Sequence, residues 1–243
     1  MRWLTAIPVY NEARHLPGVL QEVRRTSTNL LVVNDGSTDG TAELLARERG
    51  LAVVTHSKNR GYGSALISAF EFALAERYDV LVTMDCDGQH EPSRIPLLLE
   101  AIDDADIVSG SRYLRDFRQN TPVPEERHRI NRIITAEINA RYGLSITDAF
   151  CGFKAYRREA LCGLTITETG WGMPLQLWVR AAMLKLRIAE VGVPRVYLDP
   201  TRAFGGMLND ADERLKYYRR VLDESERSFA RRDCGSPCEG ACP

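Results

Sequence analysis

The sequence predicts an α/β fold in which a mostly parallel, twisted sheet is flanked by helices. Short β-rich runs alternate with helical patterns through the first half of the chain, and this alternation is typical of parallel strands joined by helices. Most of the β-rich runs are continuously apolar, as expected for strands that helices cover on both faces.

Five strands and four helices account for the first half. We predict strands at residues 3–9, 30–34, 51–55, 80–84 and 107–109. Helical periodicity occupies the intervals between them, at residues 13–25, 40–49, 63–77 and 92–103. Each of the first four strands is therefore followed by a helix, which is the arrangement that places successive strands side by side in one sheet.

The second half is less regular. A polar stretch with two prolines, residues 115–128, is predicted as a loop. Helices are predicted at residues 130–142, 174–186 and 210–231, a turn and a short strand within residues 148–156, and a further strand at residues 188–197. A loop bearing Gly and Pro follows at residues 199–209.

Composition limits the classes of function. The 243 residues are 44% hydrophobic and carry a net charge of −1, so the chain can bury a core but has no global field to attract nucleic acid. No stretch approaches the roughly 18–20 apolar residues of a membrane-spanning helix, and Pro8 interrupts the N-terminus too early for a signal peptide. We therefore expect a cytoplasmic protein with no nucleic-acid partner.

Polar residues and glycines follow the predicted strands, where each strand ends. These segments are residues 10–12, 35–37, 56–63, 85–87 and 110–112. Ligands of open parallel sheets bind outside the carboxyl ends of the strands. The sequence therefore predicts a binding site at this edge of the sheet.

The sharpest motif is Asp-Cys-Asp-Gly-Gln-His at residues 85–90. Asp85 and Asp87 at a strand end, with Gln89 close by, offer oxygen ligands to Mg²⁺ or Mn²⁺, which also bind diphosphate. An ordinary Asp-Gly turn is the alternative. Zinc binding through Cys86 and His90 is disfavoured, because their spacing matches no usual zinc pattern.

Three other segments complete the predicted site. Residues 33–41 place Asp35 where a carboxylate can accept hydrogen bonds from a base or ribose, although a capped turn explains part of this segment. Residues 7–12 add an aromatic, an amide and a carboxylate, and they also suit a simple helix start. Residues 58–64 place two glycines before a helix, whose N-terminus favours an anion.

The motifs at residues 8–12, 34–37, 59–61, 85–90, 110–113 and 148–153 occur in the order of the family 2 glycosyltransferases, which the chain resembles over about residues 4–218. Within that family it looks most like the dolichol- or polyprenol-phosphate mannosyl- or glucosyltransferases. The resemblance implies a GT-A (Rossmann-like) fold with C-terminal acceptor-side helices. It also implies inverting transfer from a GDP-mannose or UDP-glucose type of donor, with Mg²⁺ or Mn²⁺ as cofactor.

The resemblance also assigns roles to residues. It assigns the nucleotide-sugar donor to Pro8, Tyr10, Asn11, Glu12, Asp35 and Asp85, to which the segment before the helix adds Arg60 and Gly61. It assigns the metal to Asp87 and Gln89. The predicted catalytic set comprises Asp85, Arg112 and Arg202 from the resemblance, together with Asp148 as a candidate base. Within this set Arg112 is expected near the acceptor phosphate and Arg202 on a mobile loop.

Several positions depart from the family pattern. The Ser-Lys of the mobile loop is Leu208-Asn209 here, Gln176 replaces an acidic residue, and Arg129 is the nearest match to an acceptor-side arginine. A polyprenyl phosphate acceptor and a soluble hydroxyl acceptor therefore both stay open. A hydroxyl acceptor requires a base, for which Asp148 is the candidate, although bonding the backbone of its own turn is the alternative.

Two further classes compete with a glycosyltransferase. A nucleotide-sugar-binding regulator without turnover is disfavoured by the intact set of Asp85, Asp87 and Gln89. A nucleotidylyltransferase should carry an N-terminal Gly-rich loop, which residues 1–12 lack.

We expect one domain over residues 1–232, with a nucleotide-binding half at 1–113 and an acceptor half at 114–232. A disordered tail that contains cysteines is expected at residues 233–243. The charged helix at residues 210–231 is expected to pack on the body through its apolar face. The alternative is that this helix makes a dimer contact or a peripheral contact with the inner face of the membrane.

Overall fold

The computed structural model describes residues 1–198 and 205–233. Its strands are β1 (Trp3–Val9), β2 (Leu30–Asn34), β3 (Ala52–Thr55), β4 (Val80–Thr83), β5 (Ile107–Ser111), β6 (Lys154–Arg157) and β7 (Ile188–Gly192). Within the described residues they form one sheet in the order β3-β2-β1-β4-β6-β5-β7. Strand β6 runs antiparallel to β4 and β5, whereas the other pairings are parallel. The mostly parallel sheet predicted from the sequence is thereby confirmed.

Helices cover both faces of the sheet. They are α1 (Leu16–Val23), α2 (Thr41–Arg47), α3 (Tyr62–Ala75), α4 (Ile95–Ala101), α5 (Glu125–Tyr142), α6 (Arg158–Gly163), α7 (Met173–Met183) and α8 (Ala211–Asp233). Successive residues of β2 point to opposite faces, so Leu31 packs with Phe70 of α3 and Val32 packs with Leu20 of α1. All five residues of β2 are buried, which explains why this strand is continuously apolar.

A third cluster of apolar side chains lies where α5, α7 and α8 meet. Ile134, Trp178 and Leu222 each have a relative exposure of 0% there. Tyr218 and Val221 of α8 are buried in the same cluster. The apolar face of α8 is therefore covered by the body of the protein, which supports the packing interpretation of this helix over a membrane contact through that face.

The second half differs from the sequence prediction at several elements, among them β7, which ends at Gly192 and not at residue 197. Helix α5 begins at Glu125, inside the stretch predicted as a loop, because Pro124 stands before the helix and does not interrupt it. Glu125 and Glu126 occupy the first turn, where the helix dipole favours acidic side chains. The short helix α6 was not predicted.

No helix among residues 1–198 and 205–233 has the length and apolar character needed to cross a membrane.

Candidate active site

A cleft of about 810 Å³ lies at the carboxyl ends of β1, β2, β4 and β5, where the sequence predicted a site. Its walls include predicted site residues from each of these strand ends and one, Gly61, from the loop after β3: Pro8, Tyr10, Asn11, Glu12, Asp35, Gly61, Asp85, Asp87, Gln89 and Arg112. Helices α5 and α8 close the opposite side. The fold therefore brings together most of the residues that the motifs singled out.

The loops after β1 and β2 hold each other through side-chain hydrogen bonds. Asn11, whose φ is +56°, donates its backbone N–H to Ser37 Oγ at 2.9 Å and accepts the Thr38 N–H on Oδ1 at 2.7 Å. The buried Glu12 donates its N–H to Thr41 Oγ1 at 3.1 Å. Tyr10 stays 45% exposed at the cleft wall. The cross-bonded loops thus leave an aromatic surface facing the cleft.

Asp35 is buried beneath the loop that follows β3. Its Oδ1 accepts the Arg60 N–H at 2.9 Å and lies 2.6 Å from His56 Nδ1, and its Oδ2 accepts the Gly61 N–H at 2.8 Å. A carboxylate oxygen can accept two hydrogen bonds, so Oδ2 keeps one acceptor position. Asp35 therefore shapes the glycine-containing loop and retains limited capacity for a ligand.

The acidic loop after β4 points Asp85, Asp87 and Gln89 at the same cleft. Asp87 Oδ1 accepts the Gln89 N–H at 3.0 Å, which closes the loop. Cys86, between the two aspartates, is buried in the core cluster. Both carboxylates face the cleft, and the burial of Cys86 in the core disfavours it as a zinc ligand beside His90.

Asp87 and Gln89 suit a hard divalent cation. Among the residues that the structure describes, no group of three His, Cys, Asp or Glu side chains could hold a metal by itself. Carboxylate and amide oxygens match Mg²⁺ or Mn²⁺, and Mg²⁺ commonly takes its remaining ligands from water and substrate phosphates. The donor set therefore fits a cation that is shared with a diphosphate.

Asp85 is enclosed on three sides. Tyr62 donates its hydroxyl to Asp85 Oδ1 at 3.0 Å, and the backbone N–H of Asp85 donates to His90 Nδ1 at 3.1 Å. A side-chain carbon at Gly152 would lie 2.5 Å from Asp85 Oδ2. Burial and the neighbouring Asp85 charge raise the pKa of Tyr62 well above its usual value, so the phenol remains a donor at neutral pH.

Residues 167–172 form the wall beside Tyr62. The Trp171 ring stacks on Tyr62 with 5.3 Å between ring centroids and 14° between planes. Gln176 holds this segment, because its Oε1 accepts the N–H groups of Thr167 and Glu168 at 2.7 and 2.8 Å. Trp171 is 37% exposed and lines the cleft, so it belongs to the site.

Arg112 and Asp148 form a buried ion pair at the end of β5. Asp148 accepts hydrogen bonds from Arg112 Nε at 2.6 Å, from Arg112 Nη2 at 2.9 Å and from Asn131 Nδ2 at 2.7 Å. Burial opposes ionisation, but the charge of Arg112 and these hydrogen bonds outweigh it and hold the pKa of Asp148 well below its usual range. This environment does not suit a general base. It favours the structural alternative, in which Asp148 orients Arg112 and bonds its own turn through the Phe150 N–H.

Two arginines that the sequence analysis did not identify line the acceptor side of the cleft. They are Arg127 of α5 and Arg214 of α8. Arg214 is only 3% exposed, donates to the Leu208 carbonyl at 2.6 Å and pairs with Glu126. No short motif marks either residue, since α5 and α8 are distant in sequence and meet only in the folded chain.

Other predicted residues lie elsewhere. The Arg60 side chain is exposed outside the lining of the cleft and contributes its backbone N–H to Asp35. Arg129 is exposed, and Arg127, two residues earlier, faces the cleft instead. Arg202 and residues 234–243, with the tail cysteines, lie outside the described residues.

Known sequences agree with the resemblance that the motifs indicated. The family described as glycosyl transferase family 2 matches residues 5–164. An undecaprenyl-phosphate mannosyltransferase from Micrococcus luteus is 35% identical over 222 residues, covering 87% of this chain and 91% of that protein. A polyprenol monophosphomannose synthase from Mycolicibacterium smegmatis is 35% identical over 207 residues, covering 79% of this chain and 76% of the relative.

Solved structures show the same fold. Glucosyl-3-phosphoglycerate synthase from Mycobacterium tuberculosis, in complex with Mn²⁺, uridine diphosphate and glucosyl-3-phosphoglycerate, matches with a TM-score of 0.70 at 19% identity. The match covers 98% of this chain and 82% of the synthase. It confirms the GT-A architecture expected from the motifs.

Proposed function

The chain belongs to glycosyl transferase family 2, and from this premise we propose that it transfers a hexose from a nucleotide-diphosphate sugar to a polyprenyl phosphate with inversion. The names of the two relatives above support a lipid phosphate as acceptor and mannose as the sugar. GDP-mannose and UDP-glucose are the donors to test first.

The distribution of charge in the cleft carries the proposal. Its acidic lining residues, as far as the structure describes the chain, are Glu12, Asp35, Asp85 and Asp87, all from residues 1–113. The acceptor side presents guanidinium groups from Arg112, Arg127 and Arg214. A carboxylate base on that side would be needed to deprotonate a hydroxyl, whereas arginines suit a phosphate. The cleft therefore favours an acceptor that arrives as an anion.

The donor side holds the nucleotide sugar. Tyr10, Asn11, Glu12 and Asp35 surround the nucleoside in this proposal, while Asp87 and Gln89 hold Mg²⁺ or Mn²⁺. When bound, that cation neutralises the charge that develops on the departing diphosphate. Asp85 faces the hexose.

The acceptor reacts without losing a proton to the protein. An ionised phosphate oxygen forms the bond to the anomeric carbon as the bond to the diphosphate breaks on the opposite face. The electron pair of the broken bond leaves on the nucleoside diphosphate, so the configuration inverts. Arg112, oriented by Asp148, positions the acceptor phosphate through charge-assisted hydrogen bonds.

A donor screen tests the first half of the proposal. Ligands that bind only the folded state raise the melting temperature by mass action, so GDP-mannose or UDP-glucose should stabilise the chain when Mn²⁺ is present. The shift should vanish in Asp87→Ala and persist in Asp103→Ala, because the Asp103 side chain is 76% exposed and lies outside the cleft lining.

A comparison of acceptors tests the second half. Polyprenyl phosphate should accept the sugar, whereas polyprenol with a free hydroxyl should not. Transfer to soluble hydroxyl acceptors alone would replace the lipid-phosphate assignment with the alternative substrate class. Donor binding without hydrolysis or transfer to any acceptor would identify a regulator that lacks turnover.

A further inference from the structure

We propose that Tyr62 is a positioning residue that sets the orientation of the Asp85 carboxylate toward the donor sugar. This inference rests on the proposed donor site and gives a role to Tyr62, which lies in the segment at residues 58–64 but received no function of its own from the sequence. The hydroxyl of Tyr62 lies 3.0 Å from Asp85 Oδ1, and both residues line the cleft.

The hydrogen bond from the Tyr62 hydroxyl fixes the rotation of the Asp85 carboxylate. The carboxylate fits against Gly152 because that residue has no side chain. A Cβ atom at position 152 would lie 2.5 Å from Asp85 Oδ2 and 2.8 Å from Asp85 Oδ1. His90 Nε2 stays 3.9 Å from Oδ2, too far for a hydrogen bond. The carboxylate thus receives a short hydrogen bond from Tyr62 on Oδ1, and the Asp85 side chain stays 30% exposed.

Tyr62 is itself held firmly. It is the first residue of α3 and lies between Gly61 and Gly63. Side-chain carbons at these two glycines would lie 2.5 Å from the Thr169 carbonyl oxygen and 2.3 Å from the Glu168 carbonyl oxygen. The close backbone approach and the stack on Trp171 restrict both the backbone and the ring, so the hydroxyl is presented at a fixed point.

The orientation of the carboxylate matters because hydrogen bonds from sugar hydroxyls are strong only when the acceptor oxygen lies roughly in line with the O–H group. If Tyr62 orients Asp85, then losing its hydroxyl should weaken contacts to the hexose while leaving contacts to the nucleoside diphosphate and cation unchanged. A general loss of structure would weaken both. The two ligand classes therefore separate a positioning role from a merely structural one.

The experiment measures binding by titration calorimetry in the presence of Mn²⁺. The ligands are GDP-mannose against GDP, or UDP-glucose against UDP if that donor stabilises the wild type. Tyr62→Phe keeps the ring and its stack on Trp171. We expect Tyr62→Phe to weaken nucleotide-sugar binding by about 10-fold, which corresponds to the loss of one hydrogen bond between a sugar hydroxyl and the charged Asp85 carboxylate. Binding of the nucleotide without sugar should be unchanged. The control Tyr78→Phe, in a buried tyrosine that does not line the cleft, should change neither affinity.

Gly152→Ala provides a second variant, because it displaces Asp85 directly and should produce the same selective loss. Equal affinities of wild type and Tyr62→Phe for both ligands, or a parallel loss for both, would overturn the positioning role. If the wild type binds neither nucleotide sugar, the proposed function fails and the inference fails with it. If the wild type binds the nucleotide sugar more tightly than the nucleotide, and Tyr62→Phe shows the same difference in affinity, the inference alone fails.

Discussion

Asp148 shows how a carboxylate in an active-site motif can serve another side chain. Its relative exposure is 0%, and Arg112, Asn131 and the Phe150 N–H all donate to it. A base must be able to take up a proton, whereas this environment stabilises the ionised form. The position of Arg112, and through it the phosphate-binding side of the cleft, therefore depends on Asp148.

Replacing Asp148 with Asn should destabilise the protein by about 3 kcal/mol at pH 7, because a buried Arg112 loses its counter-charge. The folded-state pKa of Asp148 is lowered, so its contribution is fully present above the unfolded value of about 4. The difference in free energy of unfolding between the wild type and Asp148→Asn should shrink as the pH falls below about 4, toward the lowered pKa of the folded state. Urea unfolding at a series of pH values measures this difference.

Asp103→Asn is the matched control, since its side chain is 76% exposed and surface ion pairs contribute little. The control should stay within about 0.5 kcal/mol of the wild type at each pH. An Asp148→Asn variant as stable as this control would show that the ion pair contributes no net stability.

Residues near a strand end were predictable, and residues brought in from distant helices were not. Asp85, Asp87 and Gln89 follow an apolar strand directly, so the strand itself places them at the cleft. Arg127 and Arg214 reach the same cleft from α5 and α8. Their position depends on how these helices pack, which no local pattern encodes.

At the scale of elements, the segment at residues 167–172 is a wall without regular structure whose shape depends on Gln176. The Gln176 side chain accepts two N–H groups and donates to Thr167 Oγ1 at 3.1 Å. Tyr217 of α8 adds a bond from its hydroxyl to Glu168 at 2.6 Å. Helices α7 and α8 thus hold Trp171 at the cleft.

Gln176→Leu should lower the free energy of unfolding by about 1–2 kcal/mol, because two partly buried N–H groups lose their acceptor. The segment around residue 167 should open more readily than the rest of the protein, so the backbone amides of Thr167 and Glu168 should exchange their hydrogens faster. Gln21→Leu, on an exposed position of α1, is the control and should leave both measurements unchanged. Unchanged exchange in Gln176→Leu would show that other contacts hold the segment.

Elements with a strong local pattern were predicted within a few residues, and the exceptions have physical causes. Helix α5 starts at Glu125 and not at residue 130, because a proline before a helix is compatible with its start. A short strand after residue 148 was predicted, but its antiparallel place between β4 and β5 was not. Strand order is decided by packing across the sheet, and a four-residue strand carries little information about its neighbours.

At the scale of the whole molecule, the last helix completes a core shared with the middle of the chain. Leu222 of α8 is fully buried with Trp178 of α7 and Ile134 of α5. Such a helix cannot detach without exposing the apolar surface of the other two. We therefore expect α8 to unfold together with the body and not as a separate unit.

Leu222→Ala should destabilise the protein by about 3 kcal/mol, the usual cost of a cavity at a buried leucine. Far-UV circular dichroism and tryptophan fluorescence, which includes the buried Trp178, should report the same shifted transition. Glu224→Ala, exposed on the same helix, should unfold like the wild type. Separate transitions for the two probes would instead identify α8 as an independent element.

The antiparallel strand β6 also determines when the cleft can assemble during synthesis. Strands β4 and β5 are not neighbours, because β6, made more than forty residues after β5, lies between them. A nascent chain that ends before residue 154 therefore has β4 as an open edge of the sheet, which is prone to pairing with other chains. Gly152, which backs Asp85, reaches its place only when β6 joins. Translation thus delivers Asp85 and Asp87 long before the ribosome releases β6, the strand that follows Gly152 in the chain.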